Sequence, residues 1–226
     1  MKLLIFDCDG TLVDSQHMIV AAMNAAFAAS RLAPPPRADV LSVVGLSLEG
    51  AITRLLPLAE RAHAAEIATE YKGAFGELRK SAAYQEPLYP GIGDMIRDLA
   101  RRGDIELAIA TGKSRRGVAA FLEREGLAGH FSSIQTADTH PSKPHPSMIL
   151  TALAETGVSA ADALMIGDTT FDMEMALAAG VLAVGVGWGY HPSSDLRNAG
   201  ANMVVEDSLD LGTVLDRMMI EGGMGS

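Results

Sequence analysis

The chain opens on a short apolar run, Lys2 to Phe6, that passes directly into Asp7-Cys8-Asp9-Gly10-Thr11-Leu12-Val13-Asp14-Ser15. A continuous apolar run of this length reads as a strand buried on both faces, as in a parallel sheet covered by helices. It ends in two carboxylates two residues apart. In extended chain, residues i and i+2 point the same way, so Asp7 and Asp9 repel each other if both are ionised. Either one pKa rises or a metal sits between them. Hard divalent cations such as Mg²⁺ take carboxylate oxygens and leave positions open for substrate phosphates. Gly10 and Thr11 let the chain turn sharply out of the strand.

Further along, strands and helices alternate. Apolar runs at 3–6, 106–110, 163–166 and Leu182–Val186 read as buried strands, and 91–102, 114–125, 145–156 and 171–179 read as helices. Gly103, Gly126, Gly157 and Gly180 follow these helices as C-terminal stops. The βαβα rhythm predicts an α/β fold, a doubly wound parallel sheet with helices on both faces. The stretch 15–86 breaks the rhythm. It contains no strand pattern, is rich in Ala, Leu and Glu, and is punctuated by Pro34-Pro35-Pro36 and Pro57. It reads as an inserted α-helical cap domain, with 84–90 as the return hinge, where Pro87 and Pro90 limit the backbone. The predicted division is a core of 1–14 and 87–226 around a cap of 15–86. The Gly-rich tail 222–226 is expected to be disordered.

Composition narrows the function classes. Hydrophobic residues at 48% and charged residues at 20% of 226 are ordinary for a globular chain. A net charge of −10 argues against a nucleic-acid footprint, which needs basic surface. The single cysteine allows no intramolecular disulfide and fits a reducing compartment. Asp7 follows the first residue too closely for a cleavable leader, and no apolar run approaches the ~20 residues of a membrane span. A cytoplasmic protein is the expectation.

The opening motif resembles the first motif of the haloacid dehalogenase-like hydrolase superfamily. Leu107-Ala-Ile-Ala-Thr-Gly-Lys113 resembles its second, Ser142-Lys143-Pro144 its third, and Met165-Ile-Gly-Asp168-Thr-Thr-Phe-Asp172 its fourth, in the right order across most of the chain. The resemblance implies a Rossmann-like core and phosphomonoester hydrolysis through an aspartyl-phosphate. Asp7 is then the nucleophile, Asp9 the general acid/base, and Lys143 the charge partner of the phosphoryl group, with Thr111 and the Gly112 amide bonding it. It implies Mg²⁺ on Asp7, the Asp9 backbone carbonyl and Asp168, with Asp172 supporting these ligands from behind or acting through water. The inserted cap, together with Gly45-Leu-Ser-Leu-Glu-Gly50 and 185–190, resembles the phosphoglycolate phosphatase branch. The substrate so implied is a small phosphomonoester, phosphoglycolate or similar. A β-phosphoglucomutase-like mutase and a pyrophosphatase or nucleotidase are the alternatives.

Several residues also have plain structural readings. Asp14 suits a helix N-terminus, and Asp172 suits a first helical turn, where the dipole favours acids. Cys8 reads as a small packing residue. Lys113, Arg115 and Arg116 oppose the macrodipole at a helix start, so a nearby anion would explain them, yet a solvated basic face is the simpler expectation. His140 and His145 read as exposed loop histidines, and Trp188-Gly-Tyr190 as a packed turn. In the cap, Gly45, Leu46, Ser47 and Arg54 are the specificity candidates, with Arg54 equally explained as a surface arginine. A phosphonoacetaldehyde hydrolase needs a cap lysine, and 15–71 contains none. A non-catalytic binding module would not need both Asp7 and Asp9.

Overall fold

Six parallel strands form one sheet in the computed structural model, which describes residues 1–81 and 84–221. The tail 222–226, expected to be disordered, lies outside the described residues. The strands are β1 (Lys2–Phe6), β2 (Ile105–Thr111), β3 (Ser133–Thr136), β4 (Ala163–Gly167), β5 (Leu182–Val186) and β6 (Met203–Val205), in the order β3-β2-β1-β4-β5-β6. β1 is central, with Phe6 beside Ile109 of β2 and Ile166 of β4. Chain order reverses on either side of β1, and open sheets of this kind bind ligands at that switch point, beyond the strands' carboxyl ends.

The strand period of two divides β1 between two cores. Leu4 and Phe6 pack with Ile96 of α5 (Ile92–Ala100), Phe121 of α6 (Arg115–Arg124) and Leu215 of the C-terminal helix (Leu211–Glu221). Leu3 and Ile5 pack with Ile149 of α7 (Ser147–Thr156) and Met173 of α8 (Thr170–Ala179). All four β1 side chains are fully buried, and each contributes about 1.5–3 kcal/mol. This is the doubly wound arrangement. β3 and β6, both at the sheet's edges, were not expected: β3 reads Ser-Ile-Gln-Thr, and β6, though apolar, is only the three residues Met203–Val205. The helix expected to end at Gly103 stops at Ala100. Gly157 and Gly180 do close α7 and α8 in the left-handed conformation.

Between β1 and β2 lie α1 (Gln16–Ala29), α2 (Arg37–Ser42), α3 (Leu48–Leu55) and α4 (Ala64–Leu78). They share a separate hydrophobic cluster in which Met23 and Phe27 of α1 meet Ile52 of α3 and Ile67 of α4. Outgoing and returning chain run side by side. Asp14 N–H donates to Pro87 O at 2.8 Å, and Tyr89 N–H donates to Leu12 O at 3.0 Å. Among the described residues, no helix is long and apolar enough to cross a membrane.

Candidate active site

Asp7 is the first residue beyond β1, Thr111 the last of β2, and Asp168 the first beyond β4. Parallel register therefore brings residues far apart in sequence to one end of the sheet. Cys8 O accepts the N–H groups of Leu12 and Val13 and holds the turn after Asp7 tight. Gly10, at φ +84°, lies so close to Asp168 that any side chain there would overlap its carboxylate.

Asp7, Asp168 and Asp172 form a buried carboxylate cluster with oxygens within 4.8 Å of one another. Asp7 Oδ1 accepts Cys8 N–H at 2.7 Å and faces Lys143 Nζ at 3.0 Å. Asp168 accepts the Thr11 hydroxyl at 3.0 Å and Tyr190 N–H at 2.9 Å. Asp172 sits in the first turn of α8, where Oδ2 accepts Thr169 N–H in a capping box and Oδ1 accepts Lys143 Nζ at 2.7 Å. The helix-start reading of Asp172 and its place in the cluster are thus both realised.

One ammonium, that of Lys143, pairs with two of these three carboxylates. Burial pushes the Asp7 carboxyl up to about 6 against the opposing charge of Lys143, and Asp172 adds to the rise. Burial also raises Asp168 well above the usual range, helped by Asp172 and Asp7. Asp7 Oδ2 is buried and has no hydrogen-bond partner. A surplus of negative charge around an unpartnered carboxylate oxygen, with only oxygen donors nearby, fits a hard divalent cation.

The Asp9 carboxylate stands outside that cluster. Its Oδ1 accepts Ser15 Oγ at 2.6 Å and Lys113 Nζ at 2.7 Å. Here the expectation of a solvated Lys113 is corrected: its side chain is only 7% exposed and also donates to Glu86 Oε1 at 2.7 Å. Glu86 is buried and bonded in turn by Arg79 at 3.1 Å. Sequence reasoning passed over Glu86 altogether. The one available signal was Lys113 itself, a cation opposing a helix dipole and so in need of an acid. The turn 188–190 packs as expected and also serves the site, since it supplies the Tyr190 amide to Asp168 and the Tyr190 hydroxyl to Ser15 at 3.0 Å. Cys8 is buried, and burial, then Asp7 and Asp9, holds its thiol well above the ordinary range. His145 is exposed, whereas His140 is pinned between Ser147 and Gln135.

The cap loop reaches the core. Ser47 N–H donates to Ser142 Oγ at 2.8 Å, and the carbonyls of Gly45 and Leu46 lie where a Cβ on Gly112 would stand. Arg54 is not brought to the site. It is exposed, with its guanidinium 5.2 Å from the centre of the Phe171 ring. Between cap and core is a cavity of about 960 Å³ that Asp7, Asp9, Thr111, Gly112 and Lys113 line from the core side.

A family model described as haloacid dehalogenase-like hydrolase matches residues 4–186. The chain belongs to that family. Among curated haloacid dehalogenase-like relatives, a probable phosphatase, IndB, of Dickeya dadantii is 37% identical over 90% of this chain and 89% of its own. A phosphoglycolate phosphatase of Vibrio cholerae is 30% identical over 97% of this chain and 98% of its own. The crystal structure of a hydrolase from Pseudomonas syringae superposes with a TM-score of 0.82 at 29% identity, covering 96% of this chain and 99% of that one. Within the family, the similarity runs to the phosphoglycolate phosphatase-like branch.

Proposed function

We propose that the protein is a Mg²⁺-dependent phosphatase that hydrolyses a small phosphomonoester through an aspartyl-phosphate, with 15–86 acting as a cap domain on a core of 1–14 and 87–226. It is a phosphoric monoester hydrolase by family. The observation that carries the finer reading is Asp7: a buried carboxylate at the cavity, one oxygen anchored by Cys8 N–H and Lys143, the other unpartnered.

Asp7 attacks phosphorus, its Oδ–P bond forms, and the bond from phosphorus to the ester oxygen breaks. Asp9, in its protonated form and turned away from Lys113 and Ser15, gives its proton to the leaving oxygen. Water then attacks the aspartyl-phosphate and gives a proton to Asp9, and the Oδ–P bond breaks to release inorganic phosphate. Lys143 balances the charge of the phosphoryl oxygens, and Thr111 with the Gly112 amide orients them. Asp7 and Asp168, with the Asp9 carbonyl, would hold Mg²⁺, which offsets negative charge between carboxylates and phosphate. Asp172, whose oxygens are already engaged, positions Lys143.

The test is phosphate release from p-nitrophenyl phosphate and a panel of metabolite esters that includes phosphoglycolate, with Mg²⁺ and with EDTA. Release only with Mg²⁺, abolished in Asp7→Asn, supports the reading. Full turnover in Asp7→Asn would remove Asp7 as nucleophile. Transfer of phosphate to a hexose phosphate, with little free phosphate formed, would favour the mutase.

A further inference from the structure

The cavity over Asp7 and Asp9 continues into the cap's own hydrophobic interior. Ile19 and Met23 of α1, Val40 of α2, and Ala68, Tyr71 and Phe75 of α4 belong to the cap's apolar cluster and also line the cavity. The space, about 960 Å³, is of the size that takes a drug-sized guest and far exceeds a two-carbon acid. The wall on this side of the space is apolar, so a guest of matching character gains dispersion contacts there.

The cations speak on the same question. A substrate carboxylate two bonds from the ester oxygen needs an uncommitted cation near the reacting end. Lys143 already faces Asp7 and Asp172, Lys113 faces Asp9 and Glu86, and Arg79 is bonded to Glu86. The other cations lining the cavity, Lys72 and Arg116, are on exposed positions of α4 and α6. The inner wall also offers aromatic rings, with Tyr71 and Phe75 at 5.7 Å between centroids and the already paired Arg79 and Lys113 at 5.0 and 5.6 Å from the Phe75 ring.

We infer that the substrate is a phosphomonoester of an alcohol with a bulky, largely apolar body, such as an aromatic ring, which lies among α1, α2 and α4 while its phosphate faces Asp7. This rests on the hydrolase reading above and names its substrate class. The body is removed from water against the cap, so its size is read in kcat/KM.

The experiment compares kcat/KM for 2-phenylethyl phosphate, ethyl phosphate and phosphoglycolate, all esters of unactivated alcohols, on the full chain with Mg²⁺. p-Nitrophenyl phosphate serves as the reaction-class control. The expected result is a preference for the phenylethyl ester over the other two of at least about tenfold, since a buried ring is worth that much or more. Val44 also lines the cavity and packs against the same apolar cluster; in Val44→Lys, which sets a charge in that wall, the ratio of phenylethyl to ethyl ester falls several-fold, and the ratio is internal to each protein. Release from all compounds with phosphoglycolate or the ethyl ester preferred overturns this inference and leaves the hydrolase standing. No release from any compound, the control included, overturns both.

Discussion

Lys143 Nζ donates to Asp172 Oδ1 at 2.7 Å with both side chains wholly buried, and the same ammonium stands 3.0 Å from Asp7. One lysine therefore pairs with two of the three clustered carboxylates, and its loss is felt before any substrate arrives. Lys143→Met is expected to destabilise the metal-free protein by about 3–5 kcal/mol, the usual effect of stranding buried charge. Mg²⁺ should restore part of that loss. Urea denaturation in EDTA and in Mg²⁺ checks both, and an unchanged midpoint in EDTA would show that the ammonium compensates nothing.

The Asp7 carboxyl carries a pH signature. Its folded pKa of about 6 stands above the ordinary 3.8, chiefly through burial. The stability it contributes is full below the unfolded value and is lost as pH rises through about 6. In EDTA, Asp7→Asn should therefore be more stable than the parent above pH 6, by about 1–3 kcal/mol, with the gap closing toward pH 4. A difference independent of pH would contradict the shifted carboxyl.

Metal binding has the opposite trend. Asp7 and Asp168 are both held up by burial, and carboxylates must release their protons to bind a cation. The rise in Tm on adding Mg²⁺ is expected to be larger at pH 8 than at pH 5. Thermal melts at both values decide it, and an equal rise would place the metal elsewhere.

Gly189 backs onto Asp168 so closely that a methyl there would overlap it. Gly189→Ala should move Asp168, lower turnover at least tenfold and weaken the Mg²⁺ response, for about 1–3 kcal/mol of overpacking. Titration of activity against Mg²⁺ is the measurement. An unaltered curve would mean the 188–190 turn yields without consequence.

Lys113 and Ser15 hold the Asp9 carboxylate. Asp9→Asn, which removes the acid, should reduce kcat for alkyl esters about 10–100-fold and that for p-nitrophenyl phosphate much less, because only poor leaving groups depend on protonation. Equal losses on both substrates would deny Asp9 the role of acid.

Much of this molecule follows from local pattern. An apolar strand has its period, a left-handed glycine its place after a helix, and a carboxylate pair its turn, so β1, β2, β4, β5 and the position of Asp7 are legible residue by residue. Asp168 and Thr111 are legible for the same reason: each closes a strand whose apolar run is visible. β3 and β6 are not: an edge strand with one neighbour needs few apolar residues to pair, as in β3, and the apolar run of β6 is only three residues long.

Only the tertiary structure decides the contacts between separate runs. Lys113 becomes buried because the returning chain sets Glu86 beside it, 27 positions away, and the turn of β1 sets Asp9 there, 104 positions away. No spacing rule links those three residues. Arg54 passes from a candidate for substrate to a lid on Phe171 for the same reason, since the direction of a cap helix is set by what it packs against. The sequence by itself determined which groups exist at the strand ends, because their placement is a property of short segments. Which cations are already spent, and how far the cavity opens into the cap, depends on packing at a distance and was decided by the fold.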